Sequence, residues 1–311
     1  MAGALLLLLT ALIWGGSFVA QKLGMDHVGP FAFTFYSDAL AGVFLYILVR
    51  GRARMRGAKP VWSRTDIVGG AWSGFWLWGG MMLQQIGIQW TTPGVSAFLT
   101  ANYVLVVPVL GMFLGRRPKT FVWPGVALAL AGAWFLCVPA EAASAGQSVK
   151  TFLGLPLGEL LSAACALVFG AQIVVVERFV SRPDADALQL TCVSFFAGAI
   201  LCAPFLQLPT ERPLLTYSNI WSAMGAIAFC GFLSSGLACT FQNVGLKLVA
   251  PAVAAILLSL ESVFAAILGA IFLGESLSGR QLVGCACVFV AAVFVQVCDA
   301  MASSPSRQVK E

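Results

Sequence analysis

Residues 245–275 read GLKLVAPAVAAILLSLESVFAAILGAIFLGE, and the fold turns on this stretch. From Ala250 to Leu273 it carries one formal charge, Glu261, close to its middle. A helix rises about 1.5 Å per residue and the hydrocarbon core of a bilayer is about 30 Å thick, so roughly 20 apolar residues cross it. This run is long enough. A carboxylate at mid-membrane costs about 3 kcal/mol or more. Such a group is kept neutral, paired, or turned toward a wet cavity.

The pattern occurs earlier without the charge, at residues 87–116, GIQWTTPGVSAFLTANYVLVVPVLGMFLGR. Laid over each other, Gln84 meets Gln242, Gly87 meets Gly245, Pro93 meets Pro251, Ala97 meets Ala255 and Gly111 meets Gly269. Tyr103 stands where the second copy has Glu261. One extra residue in the second copy then pairs Phe113-Leu114-Gly115-Arg116 with Phe272-Leu273-Gly274-Glu275, and Gly125 with Gly284. Upstream, Ala11-Leu12-Ile13-Trp14-Gly15 reads against Ala166-Leu167-Val168-Phe169-Gly170. The chain is a duplication whose halves meet near residue 145.

Composition agrees. Of 311 residues 59% are hydrophobic and only 10% charged, against about 25% charged in soluble domains. The apolar runs are continuous, whereas a barrel would need short alternating strands. The expected fold is an all-α polytopic membrane protein with ten transmembrane helices. The spans lie near 4–23, 31–49, 67–88, 93–114, 121–138, 152–176, 187–207, 219–241, 250–273 and 281–298. Span 1 reads as structural rather than as a cleaved leader: no Lys or Arg precedes it, and Phe18 spoils a small-x-small site ending at Ala20. The stretch 141–151 is small, polar and flexible, a natural linker. It divides the chain into 1–140, 152–298 and a tail at 299–311.

Lysine and arginine set the orientation. With the N-terminus inside, the inner segments hold 14 of the 18 basic residues. Both termini are therefore expected in the cytoplasm. The net charge of +5 is this inside bias and calls for no nucleic acid. Five spans per half make the second half enter from the opposite side, so the halves form an inverted repeat. Secondary transporters share this symmetry and bind solutes near the midplane at the repeat interface.

The opening ALIWGGSFVAQK at 11–22, the LSLES run at Leu258–Ser262 and the paired FLGR and FLGE endings of spans 4 and 9 resemble the drug/metabolite transporter superfamily. The likeness is to its ten-helix EamA branch and covers residues 4–298. It implies a carrier, in many members an exporter, of amino acids, other metabolites or toxic amphiphiles. It also implies neither ATP nor a cofactor, and no GxxxxGK[ST] phosphate loop occurs here. Two departures stand out. Ser262 replaces the proline that often follows the acid, an expectation of a straighter span 9. Arg116 replaces an acid at the end of span 4, which removes a carboxylate from the inner face.

Glu261 is the first candidate for binding substrate and for coupling to protons, and Asp38 in span 2 is the second for protons. Trp72 and Trp76 stack at i, i+4 on span 3. Trp76 and Trp14 lie mid-span, where an interfacial aromatic belt does not explain them; Ser17 is beside Trp14. The amides Gln84, Asn102, Gln242 and Asn243 can read a zwitterion without fixed charge, or serve as interhelical contacts worth about 1 kcal/mol. Glu159 can reach the outer surface, and Glu275 closes a helix. Gly70-Gly74, Gly111-Gly115 and Gly154-Gly158 read as close helix contacts. The 9 cysteines form no CxxC pair and read as reduced packing residues.

No metal or catalytic set is expected. His27 is the lone histidine, and neither HExxH nor GxSxG occurs. The partners expected are a small-molecule substrate, the lipid bilayer, and protons if Glu261 titrates, with the chain acting as a monomer or homodimer in a bacterial inner membrane. A receptor or assembly scaffold, or an uncoupled facilitator or channel, is the alternative function.

Overall fold

Helix starts are written locally along the chain. Ser63 accepts from the Asp66 backbone while Asp66 accepts from the Ser63 backbone, a capping box. Thr92, Asp186 and Thr216 each accept first-turn amides. Pro30, Pro93 and Pro251 occupy first helical positions, where the missing N–H costs nothing. The computed structural model describes residues 2–115, 118–137, 151–152, 155–274 and 279–302. Arg116, Arg117, residues 138–150 of the linker region, Gly154, Glu275 and the tail from 303 lie outside the described residues.

The described helices join into ten rods. They are α1 (Ala2–Met25), α2 (Pro30–Met55), α3 (Arg64–Ile88), α4 (Pro93–Phe113), α5 (Val122–Cys137), α6 (Leu157–Val180), α7 (Ala187–Gln207), α8 (Tyr217–Leu248), α9 (Pro251–Leu273) and α10 (Gly279–Ala302). Seven of these, α1, α2, α4 and α6 to α9, are long and apolar enough to cross a membrane. The apolar parts of α5 and α10 are shorter. In α3, tryptophan, glycine and amide side chains lower the mean hydropathy. The chain is an all-α polytopic integral membrane protein.

A two-residue antiparallel pair, Thr151–Phe152 with Leu155–Pro156, precedes α6. Span 6 therefore begins at Leu157 and not at 152. Pro156 disfavours helix in the residue before it, which delays the start.

Three rods are irregular. α4 turns at Asn102 and α9 turns at Ser259-Leu260, equivalent places in the two copies of the repeat. Span 9 is thus interrupted by a tight 3₁₀-type turn, with the Ser259 and Leu260 backbone still right-handed helical, although Ser262 stands in place of proline. The serines supply the reason. Ser259 Oγ donates to Ile256 O at 2.7 Å and Ser262 Oγ to Ser259 O at 2.8 Å, drawing carbonyls out of the helical ladder. α8 widens to a π-helical stretch over Phe229–Ala238.

The two halves interleave. α1 packs on α8 and α9, while α6 packs on α3 and α4; α2 lies against α7 and α8, α3 against α7, and α5 against α10. Glycines permit the close crossings. A side chain at Gly15 would strike Phe264 and the Ala265 backbone of α9, and one at its repeat mate Gly170 would strike Val106 of α4 at 2.5 Å. Gly70 and Gly74 press on Leu190, Val193 and Ser194 of α7, and Gly158 presses on Gly87 and Trp90. The main core runs through Leu7 and Ala11 of α1, Val107 of α4, Ile173 of α6 and Ile256 of α9.

Carboxylates tie the halves together at both ends. At one end Asp66 Oδ1 accepts from the Asp186 backbone N–H at 2.7 Å, and Arg52 pairs with Asp186. At the other, Glu211 accepts from the Ala32 N–H at 2.9 Å and the Phe31 N–H at 3.4 Å, capping α2. Burial raises the Glu211 carboxyl above the ordinary value of 4.5, and the two backbone hydrogen bonds oppose that rise.

Candidate functional site

The two breaks place Tyr103 and Glu261 at the start of the second segments of α4 and α9. Both line one central cavity. Glu261 is 3% exposed and Tyr103 2%. The Tyr103 hydroxyl and the Glu261 carboxyl are neighbours, yet neither Tyr103 Oη nor Glu261 Oε1 meets a partner in full hydrogen-bonding geometry, and the same holds for Gln242 Oε1. Buried polar atoms are almost always satisfied, so orphans gathered at a cavity mark a place for a ligand or water.

Around these atoms the wall alternates rings and amides. Trp14 on α1 donates its Nε1–H to Ser234 O at 3.3 Å, a carbonyl within the π-helical stretch. Such stretches recur at functional sites because one extra residue re-aims the side chains. Gln84 Nε2 donates to Gln21 Oε1 at 3.1 Å, and Gln21 Nε2 donates to Ser17 Oγ at 3.5 Å, joining α1 to α3. Phe169 and Gln172 of α6 and Phe195 of α7 complete much of the opposite side. The unfilled volume is about 60 Å³, room for a few waters.

Of the residues expected at the site, Trp14, Ser17, Gln84, Gln242 and Glu261 line this cavity. The others do not. On α3, Leu77, Met81 and Gln84 face the centre at i, i+4, i+7. That phase turns Trp72 outward, 53% exposed, where its ring meets Phe75 edge-on at 6.2 Å. Trp76 is half-buried beside Phe75 and outside the wall. Asn102 bends back on its own helix, its Nδ2 donating to Leu99 O at 3.1 Å. Asn243 follows Gln242 by about 100° of helical rotation and donates instead to Thr191 Oγ1 of α7 at 2.7 Å. Asp38 is buried against Gly198 of α7, apart from the cavity, with Oδ1 unpartnered. Among the described residues no three His, Cys, Asp or Glu side chains gather to hold a metal.

Sequence reasoning missed Gln21, Gln172, Tyr103, Ser234 and Ser235 as wall residues. A signal for some of them was present in the repeat. Extending its upstream alignment pairs Ser17 with Gln172 and Phe18 with Ile173. All four line the cavity, as do the mates Trp14 and Phe169, Gln84 and Gln242, and Tyr103 and Glu261.

The pattern of the EamA-like transporter family matches residues 1–138 and again residues 156–297. The chain belongs to this family. An uncharacterized transporter of Archaeoglobus fulgidus is 29% identical over 293 residues, covering 94% of this chain and 84% of that protein. Protein PecM of Dickeya dadantii is 28% identical over 156 residues, half of each chain. A solved crystal structure superposes with a TM-score of 0.74 at 19% identity, covering 97% of this chain and 99% of that one. That likeness concerns the fold. As an EamA-like transporter the chain works on small molecules within a lipid environment, and its cavity draws on both family segments.

Proposed function

We propose that this protein is a secondary transporter of small organic metabolites, exporting amino acids or related amphiphilic solutes by alternating access around the central cavity. The observation that carries the reading is the cavity itself, whose walls are repeat mates from both halves with a single carboxyl group among them. The architecture supports it. Exchanging α1 to α5 for α6 to α10 turns the α1–α8 contact into α6–α3, α1–α9 into α6–α4, and α2–α8 into α7–α3, all of which occur. An inverted repeat of five-helix halves, 1–140 and 152–298 joined by 141–151 and followed by a tail at 299–311, has this property. Rocking one half against the other would then expose the cavity to each side in turn.

Both termini lie in the cytoplasm in this reading, with the chain in a bacterial inner membrane as a monomer or homodimer. It acts neither as an enzyme nor on nucleic acid, and needs no cofactor. Glu261 carries the coupling proton, and Asp38, behind the wall, is the second candidate. Of the other contributors to binding, Trp14, Ser17, Gln84 and Gln242 act from the wall, whereas Trp72, Trp76, Asn102 and Asn243 would act only by supporting it.

Proteoliposomes test the proposal directly. Solute accumulation driven by a proton gradient is expected with the native chain and is absent from a receptor or scaffold. Glu261→Gln keeps shape and some hydrogen bonding without titration, so it should fold and still bind, less tightly for an amine, yet lose gradient-driven transport. Native transport and pH dependence in Glu261→Gln would remove Glu261 from the coupling role.

A further inference from the structure

We infer that the cavity selects solutes that carry one amine or ammonium group on an aromatic or apolar body, and rejects solutes whose net charge is negative. This rests on the transporter reading only in taking the cavity as the solute site.

The charge inventory of the wall carries the inference. It holds one carboxyl group, Glu261, and no lysine, arginine or histidine among the described residues. Lys22 follows Gln21 on α1, but its Nζ donates to the carbonyl oxygens of Ile88, Gln89 and Thr91 at the end of α3. A solute carboxylate entering here would lose water with no cation to replace it, beside a group that is itself acidic. An ammonium against the ionised Glu261 carboxylate forms a net-neutral pair joined by charge-assisted hydrogen bonds.

Hydrogen-bond capacity points the same way. Glu261 Oε1, Gln242 Oε1 and the Tyr103 hydroxyl are buried without partners in hydrogen-bonding geometry; the hydroxyl lies beside Glu261 and can turn its one O–H to that carboxyl, and the remaining capacity of the three is for accepting. Their complement is a ligand rich in N–H, which an amine is and a carboxylate is not. The helix breaks, which could otherwise receive an anion, bond within themselves. Leu105 N donates to Asn102 O at 3.0 Å and Ser262 N to Ser259 O at 3.2 Å.

The remaining walls suit the rest of such a molecule. Trp14, Phe18, Tyr103, Phe169 and Phe195 present rings from four helices around a space of about 60 Å³, which must widen as the halves part before it seats a phenyl ring. Aromatic faces attract a cation and bury an apolar body.

The test uses four probes that share a phenyl ring on a short chain: phenethylamine, phenylalanine, 3-phenylpropionate and 2-phenylethanol. Binding to the full chain in lipid nanodiscs is read from the shift of the thermal unfolding midpoint with concentration. Phenethylamine should bind roughly tenfold or more tighter than 3-phenylpropionate, the difference expected for a charge-assisted pair. Phenylalanine and 2-phenylethanol should fall between them. In Glu261→Gln the amine should lose its lead over the alcohol. Equal or tighter binding of 3-phenylpropionate by the native chain overturns the inference, and so does an amine lead that survives Glu261→Gln, or no shift with any probe. If Glu261→Gln does not fold, the native amine-to-carboxylate ratio still decides. Transport separates this inference from the broader one. A chain that moves 3-phenylpropionate but not phenethylamine is a transporter without this selectivity, whereas one that binds phenethylamine and moves nothing has the selectivity without transport.

Discussion

Glu261 and Tyr103 stand at one position of the repeat and face one cavity, so the two copies bring different chemistry to the place where they meet. Gly15 holds this geometry from behind. Its missing side chain lets α1 lie on the backbone of α9 beside Glu261, with Ala265 N only 2.9 Å from where a Cβ would sit. Helix backbone cannot yield as a flexible side chain can, so Gly15→Val should destabilise by about 1–3 kcal/mol. Gly94, where an added Cβ meets nothing within 4 Å, is the control: Gly94→Ala should leave the unfolding midpoint nearly unchanged. Equal losses in thermal unfolding of the two variants would show that the α1–α9 crossing is not tight.

Among the described elements, α2 takes the cap of its first turn from the other half of the chain. Gly29 offers no side-chain cap, and Glu211 supplies it from the segment after α7. Because burial raises the Glu211 carboxyl above 4.5, its protonated form is the one the fold favours. The stability linked to this group is complete below that value and is lost as pH rises through the raised one. Glu211→Gln cannot titrate. The native chain should therefore lose stability relative to Glu211→Gln as pH is raised from 4 toward 8, followed by thermal unfolding of both proteins. A constant difference across that range would mean that Glu211 titrates alike in folded and unfolded chains. At the opposite end, Ser63 completes the capping box of α3, and Ser63→Ala should cost about 1 kcal/mol by the same measurement.

At the scale of the whole molecule the testable quantity is topology. The ten-span reading with the N-terminus inside places 14 of 18 basic residues on the cytoplasmic side, and it predicts that a cysteine introduced at Ser148 reacts with an impermeant thiol reagent from outside intact cells. One introduced at Ser306 should react only after the membrane is opened. Reaction of both from the same side would overturn the proposed inverted arrangement of the halves.

Membrane class, span positions and the duplication were legible in the residues alone, because a bilayer imposes its demand locally. Each crossing must be a run of about 20 apolar residues whose backbone bonds to itself. Capping residues and prolines marked most helix starts for the same local reason. Pro156 did so too, although the reading placed span 6 five residues early. Which side chains meet at the centre was a different matter. Trp76 and Trp14 are both mid-span tryptophans, and Asn102 and Gln172 are both amides in apolar runs. Only Trp14 and Gln172 line the cavity. What separates them is the rotation of each helix about its axis, about 100° per residue, and that rotation is set by what packs behind it. Gly15 fixes α1 on α9, and Gly70 and Gly74 fix α3 on α7. Composition determined that these helices lie in a membrane, and the contacts between the two halves decided which few atoms of them a solute can touch.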